Sequence, residues 1–116
     1  MNPPLSDFLA ARLAFPGLVA WSLRLPDKTL DHHCQTKWIT ATKLDEVLAR
    51  MLETVDMLIR DKLAPVRLNW IFEGMRLHLA LRRDGTCLAI LVQPAPQMSG
   101  ANVERAMEEF LQMSAG

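Results

Sequence analysis

The sequence predicts an α+β domain: one mainly antiparallel sheet of five strands, with one long helix on one face and two shorter terminal helices on the other. Three observations lead to this prediction. Segments of helical and of two-residue apolar periodicity follow one another in the order α-β-β-α-β-β-β-α. Strands adjacent in sequence are joined by short turns, which favours antiparallel pairing. The last strand is apolar on both sides, as expected for a strand that is covered on both faces.

The composition predicts a single folded domain over residues 1–116, because half of the residues are hydrophobic and 22% are charged. Thirteen basic residues balance 13 acidic ones, so net charge gives no reason to expect nucleic acid or an anionic membrane as a partner. The N-terminus lacks the pattern of a secretory signal, and no apolar run reaches the roughly 18 to 20 residues that span a bilayer. Two cysteines that are far apart in sequence are typical of a protein whose thiols remain reduced. We expect a soluble, cytoplasmic protein.

The first three elements are a helix and a hairpin. Asn2 before two prolines predicts the start of a helix that ends at Pro16. Residues 18–25 then alternate with a period of two and predict a strand. Its apolar side comprises Val19, Trp21, Leu23 and Leu25. Residues 26–28 have turn chemistry, after which residues 29–34 return as the second strand.

The central helix is the longest predicted element. Thr42 followed by Asp45 resembles a capping box at its start, and Pro65 ends it near Leu63. Its apolar side chains cover an arc of roughly 160°, wider than the ~100° that one sheet face requires. They are Leu44, Val47, Leu48, Met51, Leu52, Val55, Leu58 and Ile59. Such an arc predicts that the helix is buried on two sides.

Three further strands and a helix complete the chain. Residues 66–72 and 75–81 alternate apolar and polar side chains, and residues 86–93 form the strand that is apolar on both sides. Asp84 and its following glycine predict a type I′ turn, in which both central residues need positive φ. Residues 103–111 place an apolar stripe opposite charged side chains and predict the last helix.

The tetrad Asp31-His32-His33-Cys34 matches the four-letter core of the membrane S-acyltransferases and crowds three possible metal ligands together. S-acyl transfer by those enzymes requires a cysteine-rich, zinc-binding domain and transmembrane helices. This chain has too few cysteines for the first and no apolar segment long enough for the second. On a strand His32 and His33 point to opposite faces, so only His32 and Cys34 share one. We therefore predict no metal, no cofactor and no catalytic residue. Activation of Cys34 by His32 remains as an enzymatic alternative.

Basic side chains suggest a second candidate surface. Arg24, Arg76 and Arg82, with Arg67 and His78, fall on the polar sides of their strands. If those sides coincide, they form a patch suited to an acidic partner. A solvated sheet face is the simpler interpretation.

The order and lengths of the elements resemble the Roadblock / dynein light chain family, whose fold is Roadblock/profilin-like. The resemblance covers essentially the whole chain. It rests on the opening FLAARLAFPGLVAWSLRLPDKTL and on the apolar hairpin MRLHLALRRDGTCLAILVQP. The chain departs from the family pattern at the first hairpin turn, which is often Asp-Gly in the family and is Pro-Asp-Lys here.

The resemblance implies a homodimer, or a dimer with a related subunit, in which the long helices meet and the 66–72 strand pairs with its twin. The side chains expected in that interface are Leu44, Val47, Leu48, Met51, Leu52, Val55, Leu68 and Trp70. The family's roles are non-catalytic: scaffolds in motor and membrane-signalling complexes and, in bacteria, regulators that dock on small Ras-like GTPases and speed their hydrolysis. We expect a protein-interaction module with a small GTPase as the most specific candidate partner.

A PAS-like small-molecule sensor domain is the alternative function, because five-stranded antiparallel sheets with flanking helices also occur in ligand-binding folds. Such a domain would hold its ligand between sheet and helix. It requires a buried cavity lined by Trp21, Leu23, Leu79 and the long helix.

Overall fold

The computed structural model describes residues 3–13, 17–36, 39–63, 66–93 and 100–112. Its elements are α1 (Pro3–Arg12), β1 (Leu18–Arg24), β2 (Leu30–Cys34), α2 (Ala41–Arg60), β3 (Arg67–Phe72), β4 (Met75–Leu81), β5 (Cys87–Val92) and α3 (Gly100–Gln112). This order confirms the predicted α+β architecture. The predicted helix start at Asn2 and the stops at Pro16 and Pro65 lie outside the described residues. Within the described ranges, no helix is long and apolar enough to cross a membrane.

The five strands form one antiparallel sheet in the order β2-β1-β5-β4-β3. All six residues of β5, the middle strand, are buried, which confirms the prediction that the last strand is covered on both faces. The two strands with polar or mixed sequences, β2 and β3, form the edges. Each edge strand therefore has only one hydrogen-bonded neighbour within the sheet.

Two hydrophobic cores lie on opposite faces of the sheet. On one face, α1 and α3 contribute Leu9, Leu13, Val103, Met107 and Phe110, which pack against β-strand side chains such as Trp21 and Ile90. On the other face, α2 contributes Leu44, Leu48, Leu52 and Val55, which pack against side chains such as Leu79 and Leu91. The long helix and the two terminal helices therefore take opposite faces, as predicted.

The alternation of β1 is interrupted near its start. The register between β1 and β5 shifts between Leu18 and Ala20, as in a β-bulge. Val19 consequently belongs to the core under α2, whereas Trp21 belongs to the core under α1 and α3. The prediction that Val19 and Trp21 share a face is wrong, because strict alternation takes no account of a bulge.

The β1–β2 and β4–β5 hairpin turns have the same three-residue geometry. In the first, the N–H of Leu25 donates to the carbonyl of Thr29 and the third loop residue, Lys28, has a φ of 73°. In the second, the N–H of Arg82 donates to the carbonyl of Thr86 and the third loop residue, Gly85, has a φ of 95°. Positive φ is required at this one position only, so the predicted type I′ turn is wrong.

The N-cap of α2 is Thr40 and not the predicted Thr42. Thr40 has extended backbone angles, and its hydroxyl oxygen accepts the N–H of Lys43 at 3.1 Å. The helix therefore starts two residues before the proposed capping box. The carboxylate of Asp45 contacts His32 on β2 instead of capping the helix.

Candidate functional site

The long helix α2 does not lie centrally on the sheet but is displaced toward β2. Arg24 on β1 donates to both carboxylate oxygens of Asp56 on α2, at 3.2 and 3.0 Å. Nearer the start of the helix, His32 on β2 lies with its Nε2 3.2 Å from Asp45. Both connections come from the β1–β2 half of the sheet. On the same face, the part over β3 is less covered by the helix, because the apolar side chains of β3 there are partly buried or exposed.

An apolar strip lies on the less covered part of the α2 face, near β3. It consists of Met51 on α2, Leu68 and Trp70 on β3, and Met75 on β4, all of which are partly buried against the core under α2. The strip reaches the outer edge of β3, which pairs with β4 alone among the described strands, and the flanking Val66 is 57% exposed. Half-buried apolar side chains beside an unpaired strand edge are typical of a surface that another chain covers.

On the other face of the sheet, α3 contacts β3. Arg67 on β3 donates to both carboxylate oxygens of Glu104 on α3, each at 3.1 Å, and this hydrogen bonding keeps the pKa of Glu104 below its ordinary value. His78 is hydrogen-bonded to Asn69, and burial lowers the pKa of its imidazole. The β3–β4 pair is thus fixed by side chains on this face.

The tetrad on β2 is divided between the two faces, as predicted. The Nε2 of His32 donates to Asp45, because a carboxylate can only accept, and its Nδ1 is hydrogen-bonded to the hydroxyl of Ser22 at 2.6 Å. His33 stacks on Trp21 on the other face, with ring centroids 4.0 Å apart, and bonds Asp31. Both ring nitrogens of His32 are therefore engaged, and neither is left to activate the exposed Cys34.

No metal-binding cluster is formed by the described parts of the chain: no three His, Cys, Asp or Glu side chains gather there in a way that could hold an ion. His32 and His33 are instead parts of two separate hydrogen-bonded groups. Their geometry indicates a structural role, since each joins the edge strand to its neighbours.

Comparison with known proteins gives the fold. No protein-family model and no curated protein matches the sequence. Among solved structures, MglB from Myxococcus xanthus superposes with a TM-score of 0.66 at 12% identity, covering 97% of this chain and 90% of that chain. A Roadblock/LC7 domain from Streptomyces avermitilis superposes with a TM-score of 0.64 at 17% identity, covering 91% of each chain. This chain has a Roadblock-like fold.

The side chains predicted for a dimer interface divide into two groups within the Roadblock-like fold. Leu44, Leu48, Leu52 and Val55 are at most 6% exposed and form the chain's own core. Val47, Met51, Leu68 and Trp70 are only partly buried. The wide apolar arc of α2 thus combines a core stripe with a second, more exposed stripe. Only the second group offers surface to another chain.

The three arginines proposed for partner binding do not form one patch. Arg24 lies on the α2 face and is paired with Asp56. Arg82 lies on the α3 face, donates to Asp84 at 2.6 Å and stands over the ring of Phe110 at 5.2 Å. The condition for a single patch, that these polar sides coincide, is not met for Arg24 and Arg82, because they lie on opposite faces of the sheet. Arg76 alone of the three is exposed.

The cavity required for a PAS-like sensor is not compatible with the Roadblock-like fold of this chain. Trp21 and Leu23 belong to the core under α1 and α3, whereas Leu79 belongs to the core under α2. All three side chains are at most 2% exposed. Since the sheet lies between them, they cannot line a single cavity.

Sequence reasoning missed two features, one at the β3 edge and one between β1 and α2. Ile71 is 76% exposed, and it lies beside the exposed Arg76 in the β3–β4 register. Its position among the polar side chains of β3 was the available signal, since an apolar residue there has no core to enter. The partner of Arg24 was also missed, because sequence alone does not place Asp56 next to it.

Proposed function

We propose that this protein is a non-catalytic interaction module that forms a homodimer through the β3 edge and the apolar strip, and that the dimer regulates a small Ras-like GTPase. The strip on one half of the α2 face, continuous with an unpaired strand edge, is the observation that carries the proposal. The predicted cytoplasmic location is part of it.

The dimer proposal is supported by how the long helix is placed. The Arg24–Asp56 and His32–Asp45 contacts hold α2 toward β2. A second copy related by two-fold symmetry would pair its β3 with this β3 and place its own α2 over the strip. Such pairing would satisfy the free backbone groups of the edge and remove Trp70 and Met51 from water. Val47 would lie between the two helices.

The GTPase proposal rests on the Roadblock-like fold and on the resemblance in sequence. Of the side chains that we proposed to contact a partner, Arg76 remains available, beside the exposed Ile71 on the α3 face of the β3–β4 hairpin. An exposed apolar side chain next to a cation suits a partner surface of acidic and apolar character. The partner would therefore contact this hairpin.

Analytical ultracentrifugation at micromolar concentration tests the dimer. The wild type should sediment as a dimer, and both Met51→Lys and Trp70→Lys should sediment as monomers, because each places a charge in the apolar strip. Met57→Lys is the matched control, since Met57 is an exposed apolar residue of the same helix outside the strip. A wild-type protein that sediments strictly as a monomer would refute this interface.

GTP hydrolysis tests the regulatory role. The wild type should form a complex with a small GTPase expressed in the same cells and accelerate its hydrolysis. Arg76→Glu should reduce that acceleration while leaving the dimer intact. If no candidate GTPase binds and none is accelerated, the regulatory proposal is refuted, although the dimer is not.

A further inference from the structure

An open groove lies at one end of the sheet. It runs between the C-terminal half of α2 and the turns of the β1–β2 and β4–β5 hairpins. Its volume is about 770 Å³, which is within the range of ordinary ligand-binding clefts. One wall is formed where the turns meet: a Cβ added to Gly85 would lie 3.6 Å from the Cα of Pro26. The opposite wall is formed by α2 residues, among them Met57 and Arg60.

The apolar part of this groove is unusually accessible. Met57 and Ile59 are 46% and 42% exposed and line it from α2. Leu25 and Pro26 line it from the first hairpin. Large apolar side chains that face a concave surface, instead of being scattered on a convex one, indicate a binding site.

The charged part of the groove has a cationic surplus. Asp56 is already paired with Arg24 in a bidentate contact. Lys28 approaches the same carboxylate at 3.8 Å and is 70% exposed, and Arg60 also lines the groove. Glu53 is the second lining acid, so three cations face two carboxylates. The groove lining therefore has a surplus of one positive charge, and the exposed Lys28 and Arg60 lie where a further anion could contact them.

Hydrogen bonds of the first hairpin turn fix the backbone position of Lys28. Its N–H donates to the carbonyl of Leu25 at 2.8 Å, and the side chain of Asp27 accepts the N–H of Thr29 at 2.9 Å. These bonds hold the turn in which Lys28 has a φ of 73°. The turn consequently presents the ammonium group at the rim of the groove.

We propose that this groove binds an extended segment of a partner protein in which a carboxylate side chain neighbours a large apolar side chain. The apolar side chain would enter between Met57 and Pro26, and the carboxylate would contact Lys28 and Arg60. A protein segment fits better than a small molecule, because the groove opens to solvent and its cations are at the rim. The groove is built from one chain and does not depend on the proposed dimer.

Selection from random short peptides displayed on phage, with the full-length protein as bait, tests this inference. Enriched peptides should carry Asp or Glu next to Leu, Phe, Met or Trp. Their affinity, measured by fluorescence polarisation, should fall roughly tenfold in Lys28→Gln/Arg60→Gln, where two rim charges are lost. Met57→Lys should weaken binding as well. Lys43→Gln, which neutralises an exposed cation at the other end of α2, is the matched control.

The outcomes separate this inference from the dimer. Binding should persist in Trp70→Lys, whatever that variant does to self-association. Enrichment of basic or uncharged peptides, peptides that bind the groove variants as well as the wild type, or no enrichment would each overturn the inference. Peptides that match a segment of this chain itself would also overturn it, by identifying a second copy as the occupant. Circular dichroism of each variant verifies that the fold is retained.

Discussion

Arg24 and Asp56 form a bidentate ion pair that joins the sheet to the long helix. The side chain of Arg24 is 8% exposed and that of Asp56 is 33% exposed, with N–O distances of 3.2 and 3.0 Å. The pair fixes the C-terminal half of α2 over β1. It also removes Arg24 from the set of arginines that could bind a partner.

Replacing Asp56 by Ala should destabilise the fold, because the buried Arg24 would lose its counter-charge. Breaking a fully buried pair costs about 3–5 kcal/mol, and the partial exposure of Asp56 reduces our expectation to about 2 kcal/mol. Urea unfolding measures the difference. Glu53→Ala, at an exposed acid one turn earlier on α2, should change the free energy of unfolding by less than about 0.5 kcal/mol. Equal effects at both positions would contradict a structural role for the pair.

The same pair predicts how stability changes in acid. Hydrogen bonds from Arg24 keep the pKa of Asp56 below its ordinary value of 3.8. The corresponding stabilisation is fully present above that value and is lost as the pH falls through the lower pKa of the folded state. Between about pH 5 and about pH 2, the free energy of unfolding of Asp56→Asn should therefore fall less steeply than that of the wild type. Parallel curves would show that Asp56 is not responsible.

Much of this fold could be predicted because periodicity is a local property of the sequence. The strands could be placed from the two-residue alternation of β3 and β4 and from the apolar side chains on both faces of β5. The helix α2 could be placed from its apolar stripe. The bulge at Leu18–Ala20 could not be predicted in this way, since it depends on how β1 pairs with β5. One inserted residue changed the face of Val19.

The candidate site was less predictable than the fold. The arc of α2 predicted burial on two sides, but it did not separate Leu48, which is fully buried, from Met51, which is partly exposed. That distinction depends on where α2 lies across the sheet. The position depends on tertiary contacts, including those of Asp45 and Asp56, whose partners lie more than ten residues away in sequence.

The two cysteines should differ strongly in reactivity. Burial raises the pKa of the Cys87 thiol to about 12, whereas Cys34 is exposed on the edge strand. Because the thiolate is the reactive form, a chromogenic disulfide reagent should titrate Cys34 in the native protein and Cys87 only after unfolding. Cys34→Ser should abolish the reaction of the native state. Rapid labelling of that variant would contradict the burial of Cys87.

The start of α2 can be tested with two threonines that are two residues apart. Thr40→Ala should lower the free energy of unfolding by about 1 kcal/mol, because the N–H of Lys43 loses its acceptor. Thr42→Ala should have little effect or stabilise slightly, since Thr42 is exposed within the helix and Ala has the higher helix propensity. Thermal or urea unfolding distinguishes the two. A larger loss at Thr42 would restore the capping box predicted from the sequence.

Leu48 and Met51 provide the sharpest test of which side of α2 meets a second chain. Leu48 is 0% exposed, so Leu48→Ala should lower the free energy of unfolding by about 2–5 kcal/mol at every protein concentration. Met51 lies in the apolar strip, so Met51→Lys should chiefly weaken self-association, measured by sedimentation across a dilution series. Its effect on stability should therefore shrink on dilution, as the wild type itself dissociates. If Met51→Lys instead destabilises the protein equally at all concentrations, Met51 belongs to the core of one chain and the strip does not mediate a dimer.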